Sequence, residues 1–592
     1  MPPKSDISKK YVKLDPKEHV LHRPGMYVGS IDKDVVDVWI IDQSGLKMEK
    51  KKVEYIPGLF KIYDEIVANA IDHSIRVLGD ANATNKVKNI KIEIDKETGV
   101  IQVMNDGEGI EVAMHPEHNM YVPQLIFGNL LTSTNYDDEE ERLGQGTNGI
   151  GCKACNIFSK WFEVETVDAK SAKRYLQRWE NNMTNTGKPS ITKATKKPYT
   201  TIRFLPDYAR FNLPNGLSAD MYEVMKKRAY DACAVTDKSI NIWFNSVKLD
   251  YKDFEKYADL YLGSKSEHTR VYEKINDRWE VLASYNDFCG FEQISFVNGL
   301  LTIKGGTHVN YIVNQIVKRM TEMVAKKNKD ANVKPQNIKD NMIIFIKSTI
   351  VNPTFDSQSK ETLTTPMSKF GSKAELSDKF VTKLFNTGMS QKILEICQIS
   401  EEKVLKKTDG KKSNTIRGIP KLEDAIWAGG PKSRECTLIL TEGDSAASMA
   451  LAGLSEVGRD RFGVFPLKGK VMNVKDATIK KIADNDEITN IKKILGLEAG
   501  KVYGESDMGS LRYGRVMLMT DSDVDGAHIK GLIFNLFHSM WPSLIKGNKF
   551  MTSMLTPIIK AKKRDNTLSF YNLTDYDNWK ASEPTNGWKI KY

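Results

Sequence analysis

Asp521-Ser522-Asp523-Val524-Asp525-Gly526 stands just behind the apolar run Val516-Met517-Leu518-Met519. The run reads as a buried strand, and the three carboxylates at alternate positions read as a turn at its carboxyl end. Carboxylates spaced in this way converge on one small volume. Their repulsion there is relieved by a hard divalent cation such as Mg2+. The same D-x-D-x-D-G pattern opens an EF-hand calcium loop, but the twelfth position, which should be a bidentate Glu, is Leu532. The calcium reading is therefore poor.

A second apolar strand, Thr437-Leu438-Ile439-Leu440, runs into Glu442-Gly443-Asp444-Ser445-Ala446. Ligand sites in open α/β sheets lie at the carboxyl ends of strands, so Glu442, Asp521, Asp523 and Asp525 are expected to share one metal site. Together with Pro466-Leu467-Lys468-Gly469-Lys470 and His528, these residues resemble the toprim module of type II DNA topoisomerases. In that module one Glu and a DxDxD triplet hold the Mg2+ used in DNA strand cleavage. The resemblance implies a Rossmann-like toprim fold.

Composition is compatible with a DNA enzyme without identifying one. The 592 residues allow three or four domains, and 87 basic against 76 acidic residues leave a net charge of +11. Lysines cluster at Lys326, Lys327 and Lys329, at Lys406, Lys407, Lys411 and Lys412, and at Lys560, Lys562, Lys563 and Arg564. Charge runs are ordinarily solvated faces. Lys326, Lys327, Lys329, Lys468 and Lys470 are the residues we expect to meet DNA phosphate. No apolar run approaches membrane-spanning length, and Met1-Pro2-Pro3-Lys4-Ser5 lacks a signal-peptide core, so we expect an intracellular protein without a membrane partner. Six cysteines in so long a chain do not make a disulfide framework. Cys152 and Cys155 have no second CxxC to complete a zinc site and read as helix packing.

The N-terminal half carries a different chemistry. It contains no G-x-x-x-x-G-K-[ST], hence no Walker A loop. Asp64 to His73 has helical apolar spacing, which sets Glu65 and Asn69 on one face. Val100 to Met104 reads as a strand, followed by the glycine-hinged turn Asn105-Asp106-Gly107-Glu108-Gly109-Ile110. Gly144-Gln145-Gly146-Thr147-Asn148-Gly149-Ile150-Gly151 then leads into a helical stretch from Lys153 to Phe158. Such a loop presents backbone N–H groups to an anion.

In this order the three segments resemble the Bergerat (GHKL) ATPases, the group containing gyrase, heat-shock chaperone ATPases and mismatch-repair ATPases. The likeness is closest to the eukaryotic and viral branch of type IIA topoisomerases and runs over nearly the whole chain. It is carried by the stretches from Tyr55 to Ile62, Leu131 to Asp138, Gly305 to Asn310 and Asn352 to Glu361. The resemblance implies Glu65 as the general base that activates water and Asn69 as the ligand of the Mg2+ bridging the ATP phosphates. Both roles suit the groups. It further implies that Asn105 contacts adenine and that Ser133, Thr134 and Asn135 contact the nucleotide. Asn148, Gly149, Ile150 and Gly151 would then form the phosphate loop, Gln358 would line the site, and Lys360 would reach the γ-phosphate. Tyr11 resembles the residue that reaches the partner subunit's nucleotide. The chain departs from the pattern at Asn105, where most Bergerat ATPases have Asp, at Gln145 and Thr147, where Gly and Arg are usual, and at Ser359 in place of Thr.

The expected organisation is a GHKL ATPase α+β sandwich with an N-terminal dimerisation arm over 1–250, and a ribosomal protein S5-like α/β transducer over 251–405. A linker over 406–417 and a toprim domain over 418–592, incomplete at its C-terminal end, would follow. The family continues into regions that carry the tyrosine attacking DNA, and no residue here matches it. Strand passage therefore requires further polypeptide, supplied by a split gene or by a C-terminal continuation. The expected function is an ATP-operated DNA gate: ATP closes a homodimer on duplex DNA, and Mg2+ at the toprim carboxylates assists cleavage and religation for relaxation or decatenation. A DNA clamp without cleavage and a chaperone- or repair-type ATPase are the alternatives. The location would be a nucleus, or a host cell for a viral or phage enzyme.

Overall fold

The computed structural model describes residues 11–130, 132, 149–194, 197–286, 290–327, 333–475, 477–521, 523–546, 549–555, 557–583 and 585–591. The chain divides into two compact units, Met1–Val324 with Val333–Gln391, and Ala325–Asn332 with Lys392–Tyr592.

Among the described residues the first unit holds three sheets: the antiparallel pair Asp34–Ile41 and Met48–Tyr55, and two larger ones. In the largest, strands run in the order Val247–Leu249, Asn241–Phe244, Asn89–Ile94, Ile101–Asp106, Tyr199–Pro206, Ser159–Val167, Lys173–Glu180 and Asn185–Thr186, with Ser190–Lys193 also on Lys173–Glu180. Pairing is antiparallel except where Asn241–Phe244 lies parallel to Asn89–Ile94. Strand Ile101–Asp106 alternates buried and half-buried residues, as a sheet with one face under helices requires. That face is covered by the helices Pro57–Gly79 and Ala219–Val235. Ile62, Ile66, Val67 and Ile71 of the first of these join Ile90, Ile92, Ile101 and Val103 in one core. The helix expected over Asp64 to His73 thus extends from Pro57 to Gly79, with Pro57 in its first turn. Proline suits that place because the N–H it lacks would have no partner there.

The second of the two larger sheets has the order Arg270–Asn276, Trp279–Tyr285, Met342–Ser348, Glu292–Val297 and Leu300–Leu301. Glu292–Val297 and Met342–Ser348 are parallel, and the connection between them includes the helix Thr307–Lys327.

The second unit centres on a parallel sheet ordered Phe462–Pro466, Thr437–Thr441, Arg515–Met519 and Met551–Ser553. Thr437–Thr441 is buried throughout, as befits a central strand covered on both faces. The expected linker at 406–417 is fastened into this unit. Lys492 Nζ donates to Leu405 O at 2.9 Å and pairs with Asp409 Oδ1 at 2.8 Å. The Gly410 amide donates to Leu497 O at 2.9 Å. A small antiparallel sheet, Asn566–Phe570, Ile559–Lys563 and Lys589–Lys591, packs with the helix Leu573–Ser582 around Phe570 and Tyr576. No helix among the described residues is long and apolar enough to cross a membrane.

Candidate nucleotide and metal sites

Glu65 projects from the Pro57–Gly79 helix toward the Gly151–Ile157 helix, with its Oε1 2.6 Å from Lys61 Nζ and 3.6 Å from Lys360 Nζ. Its side chain is 14% exposed and that of Lys61 5%. Burial alone would raise its pKa, but Lys360 and Lys61 outweigh burial and hold the carboxyl at about 2. Burial pulls Lys360 below its usual value, Glu65 opposes that, and neighbouring Lys61 adds to it. Lys61 was not singled out from the sequence, although its place four residues before Glu65 sets the two on one helix face. A Cβ on Gly151 would overlap Glu65 Oε2, so the carboxylate rests against bare backbone at the start of that helix.

Lys360 arrives on the loop after Met342–Ser348, with a left-handed backbone at φ +59°. Its amide donates to Ser357 O at 3.1 Å, and Ser357 Oγ lies 2.7 Å from Ser359 Oγ. Gln358 is half-buried on the same loop. Glu361 is held by Lys304 at 2.6 Å. Asn69 is exposed one turn beyond Glu65.

Asn105, buried near the end of its strand, faces Ile90 on one side and Thr200 on the other. Its Nδ2 donates to Asp106 O at 3.0 Å. The Asp106 carboxylate accepts from the Lys88 and Asn89 amides at 2.7 and 2.9 Å, and so clamps the neighbouring strand. Thr166 Oγ1 lies 3.0 Å from Thr200 Oγ1 and accepts from the Ile110 amide at 2.9 Å. This buried hydroxyl pair beside Asn105 was invisible in the sequence, because antiparallel register creates it. The turn needs its glycines. Gly109 has φ +73°, and a Cβ there would overlap Val167 O. His73 Nε2 approaches the other turn glycine, Gly107, and has no hydrogen-bond partner among the described residues. Burial and Arg76 lower the His73 pKa to about 4.

Gly149 has φ +58°, Ile150 caps the Gly151–Ile157 helix, and Lys153 Nζ donates to Thr132 O at 2.5 Å. Ser133, Thr134, Asn135 and Asn148, with Gln145 and Thr147, lie outside the described residues. Cys152 and Cys155 are free thiols on that helix.

In the second unit, Glu442 and Asp521 follow adjacent parallel strands, Thr437–Thr441 and Arg515–Met519. The chain leaves Thr437–Thr441 toward Phe462–Pro466 on one side, while Arg515–Met519 lies on the other. The two carboxylates therefore stand at the topological switch point, where crossovers diverge and leave a crevice. The Asp521 amide donates to Glu442 Oε2 at 3.3 Å. Asp523 caps the Val524–Met540 helix, its Oδ1 accepting from the Gly526 amide at 2.7 Å. Asp525 is paired with Lys470 at 2.9 Å, and that hydrogen bond and charge hold its carboxyl below the ordinary range. Glu442 and Asp521 are thus together, whereas Asp523 and Asp525 are engaged by other partners. All four are hard carboxylate donors, a type that fits a hard divalent cation, but no three of them bring ligand oxygens within 4.8 Å of one another as the structure stands. Lys468 is exposed, and Lys326 and Lys327 end the Thr307–Lys327 helix in solvent. Lys329 lies outside the described residues.

The chain matches four family models: the histidine kinase-, DNA gyrase B- and HSP90-like ATPase over 55–207, DNA gyrase B over 250–412, the toprim domain over 437–553 and the C-terminal associated domain of toprim over 554–592. The ATPase region of Saccharomyces cerevisiae topoisomerase II is similar along its full length, with 43% identity and a TM-score of 0.61 over 66% of this chain. The chain belongs to the DNA topoisomerase II family. The ATPase and transducer domains of Balamuthia mandrillaris topoisomerase II match with 37% identity and a TM-score of 0.62, covering 68% of this chain and all of that one. DNA topoisomerase 2 of Arabidopsis thaliana is 45% identical over 99% of this chain and 40% of its own length. The enzyme of Acanthamoeba polyphaga mimivirus is 45% identical over 100% of this chain and 47% of its own. The chain spans less than half the length of these relatives. Within the topoisomerase II family it carries GHKL ATPase, transducer and toprim domains, which imply use of a nucleotide and a metal.

Proposed function

We propose that this chain is the ATP-hydrolysing and toprim part of a type II DNA topoisomerase, working as a homodimeric gate on duplex DNA. The observation that carries the reading is the meeting of Lys360 with Glu65: a lysine from one layer of the first unit reaches the carboxylate of another. In this reading Glu65 takes the proton from the attacking water, and Lys61 and Lys360 hold it ionised until then. When the γ-phosphate draws Lys360 away, the Glu65 carboxyl loses a stabilising charge and becomes more basic. The same movement carries the presence of the γ-phosphate into the transducer layer. Asn105 contacts adenine, while Ser133, Thr134, Asn135, Gln358 and the loop from Asn148 to Gly151 enclose the nucleotide. Asn69 ligates the nucleotide's Mg2+.

Glu442, Asp521, Asp523 and Asp525 would hold Mg2+, which when bound stabilises charge on the scissile phosphate and leaving oxygen. For all four to ligate, Asp525 must leave Lys470, which frees that lysine for DNA phosphate beside Lys468; Lys326, Lys327 and Lys329 contribute further phosphate contacts. In this reading the nucleophilic tyrosine is carried by a breakage-reunion polypeptide or by a C-terminal continuation. The domain division is 1–250, 251–405, 406–417 and 418–592, and the location is intracellular.

ATP hydrolysis by the 592-residue chain, with and without duplex DNA, tests the reading beside Glu65→Ala. The expected result is DNA stimulation in the parent and a loss of about a hundred-fold or more in the variant. Unchanged hydrolysis in the variant removes Glu65 as the base.

A further inference from the structure

Away from the nucleotide and toprim residues, His115, Glu117 and His118 bring three metal-ligating side chains together, with their ligand atoms all within 4.8 Å of one another. They sit on a tight hairpin closed by an antiparallel bridge between Met114 and Tyr121. Its backbone is pinned by His115 N to Met120 O at 2.8 Å, Asn119 N to His115 O at 3.1 Å and Val122 N to Ala113 O at 3.0 Å. Pro116 restricts the turn, and Asn119 takes a left-handed backbone at φ +48°. The two imidazoles are stacked, with centroids 4.6 Å apart and planes 27° from parallel. His115 is half-buried, whereas Glu117 and His118 are exposed. Glu117 makes no ion pair with any described residue, so its charge is not satisfied by a cationic side chain.

We infer that His115, Glu117 and His118 form a site for a divalent transition-metal ion of the Zn2+ class, distinct from the toprim carboxylates. Two imidazoles and a carboxylate are a donor set for Zn2+, Ni2+ or Cu2+, whereas Mg2+ prefers oxygen ligands and retained water. Ligands at zinc bond lengths stand about 3.3 Å apart in a tetrahedron, a closure that rotation of the exposed Glu117 and His118 side chains supplies. The present contact between the Glu117 amide and His115 Nδ1, at 3.3 Å, is weak. Binding at Nδ1 replaces it, and binding at Nε2 moves the ring proton to Nδ1 and gives it up. Three protein ligands leave a fourth position for water or another donor. The hairpin leads into the Val122–Gly128 helix, which packs on Gly151–Ile157. Metal would therefore stiffen the connection between the Asn105 turn and the helix behind the glycine loop.

Co2+ titration of the full chain in excess Mg2+ tests this independently of the proposed function. The parent should take up one equivalent with tetrahedral visible absorption that Zn2+ displaces. The His115→Gln/His118→Gln double variant should lose both, and Glu117→Gln should weaken binding. Equal stoichiometry and absorption in parent and double variant, or no binding by the parent, overturns the inference. Should the double variant fold poorly, diethyl pyrocarbonate labelling of the parent decides. Zn2+ should protect His115 and His118, and equal labelling with and without Zn2+ overturns it.

Discussion

Glu65 depends on what surrounds it as much as on its own carboxyl. Gly151 leaves the space its Oε2 occupies, so Gly151→Ala should displace the carboxylate. We expect hydrolysis to fall at least about ten-fold and stability by about 1–3 kcal/mol, the usual effect of overpacking; steady-state kinetics with urea unfolding measures both. His73 gives a pH dependence. Burial and Arg76 lower its pKa from 6.5 to about 4, so the unfolded chain takes up a proton that the folded chain refuses between those values. Its neutral burial costs nothing above pH 6.5, and its contribution turns against folding as pH falls from 6.5 to 4, by up to about 3 kcal/mol. In His73→Gln the thermal transition of the first unit should fall less steeply across that window. Identical slopes would show that another group titrates. Glu65 and Asn105 were legible because motif order exposed them. Lys61 was legible in its spacing from Glu65 but was not singled out; Thr166 and His73 were not legible, because their roles depend on which neighbour the fold brings to them.

The Pro57–Gly79 and Ala219–Val235 helices are joined at the level of whole elements by a buried pair, Arg228 Nε to Asp64 Oδ1 at 2.5 Å, and by Tyr63 Oη donating to Met225 O at 2.9 Å. Arg228 Nη2 also donates to Gly299 O at 3.2 Å. Asn298 and Gly299, with φ +50° and +83°, form the two-residue turn between Glu292–Val297 and Leu300–Leu301, a dipeptide suited to positive φ at both places. One guanidinium therefore links the Glu65 helix to the second of the unit's two larger sheets. Arg228→Leu leaves Asp64 buried without its partner and should cost about 3–5 kcal/mol, whereas Asp64→Asn/Arg228→Leu should cost less because no charge remains stranded. Denaturant titration of the three proteins gives the comparison, and an equal loss in single and double variants would deny the pair its role. Helix and strand identities were readable from apolar spacing, while this junction, which joins residues far apart in the chain, was not.

Across the whole molecule, Glu65 and Lys360 fall in the first unit and Glu442 and Asp521 in the second. A fragment ending at residue 391 should keep ATP binding within about three-fold of the full chain; that factor is worth under about 1 kcal/mol. A fragment ending at residue 350 should lose γ-phosphate discrimination with Lys360. Titration with ATP and ADP separates the outcomes, and equal discrimination by both fragments would remove Lys360 from the site. The sequence by itself determined the family resemblance, the strand-end positions of the toprim acids and the face shared by Glu65 and Asn69, because local periodicity and short-range spacing set these. Tertiary structure alone decided that Lys360 reaches the Glu65 oxygen that Lys61, one helical turn earlier, already meets, that Lys470 occupies Asp525, and that the 406–417 segment is fastened into the second unit. Each of these depends on packing and ion pairing between residues whose proximity only the folded chain creates.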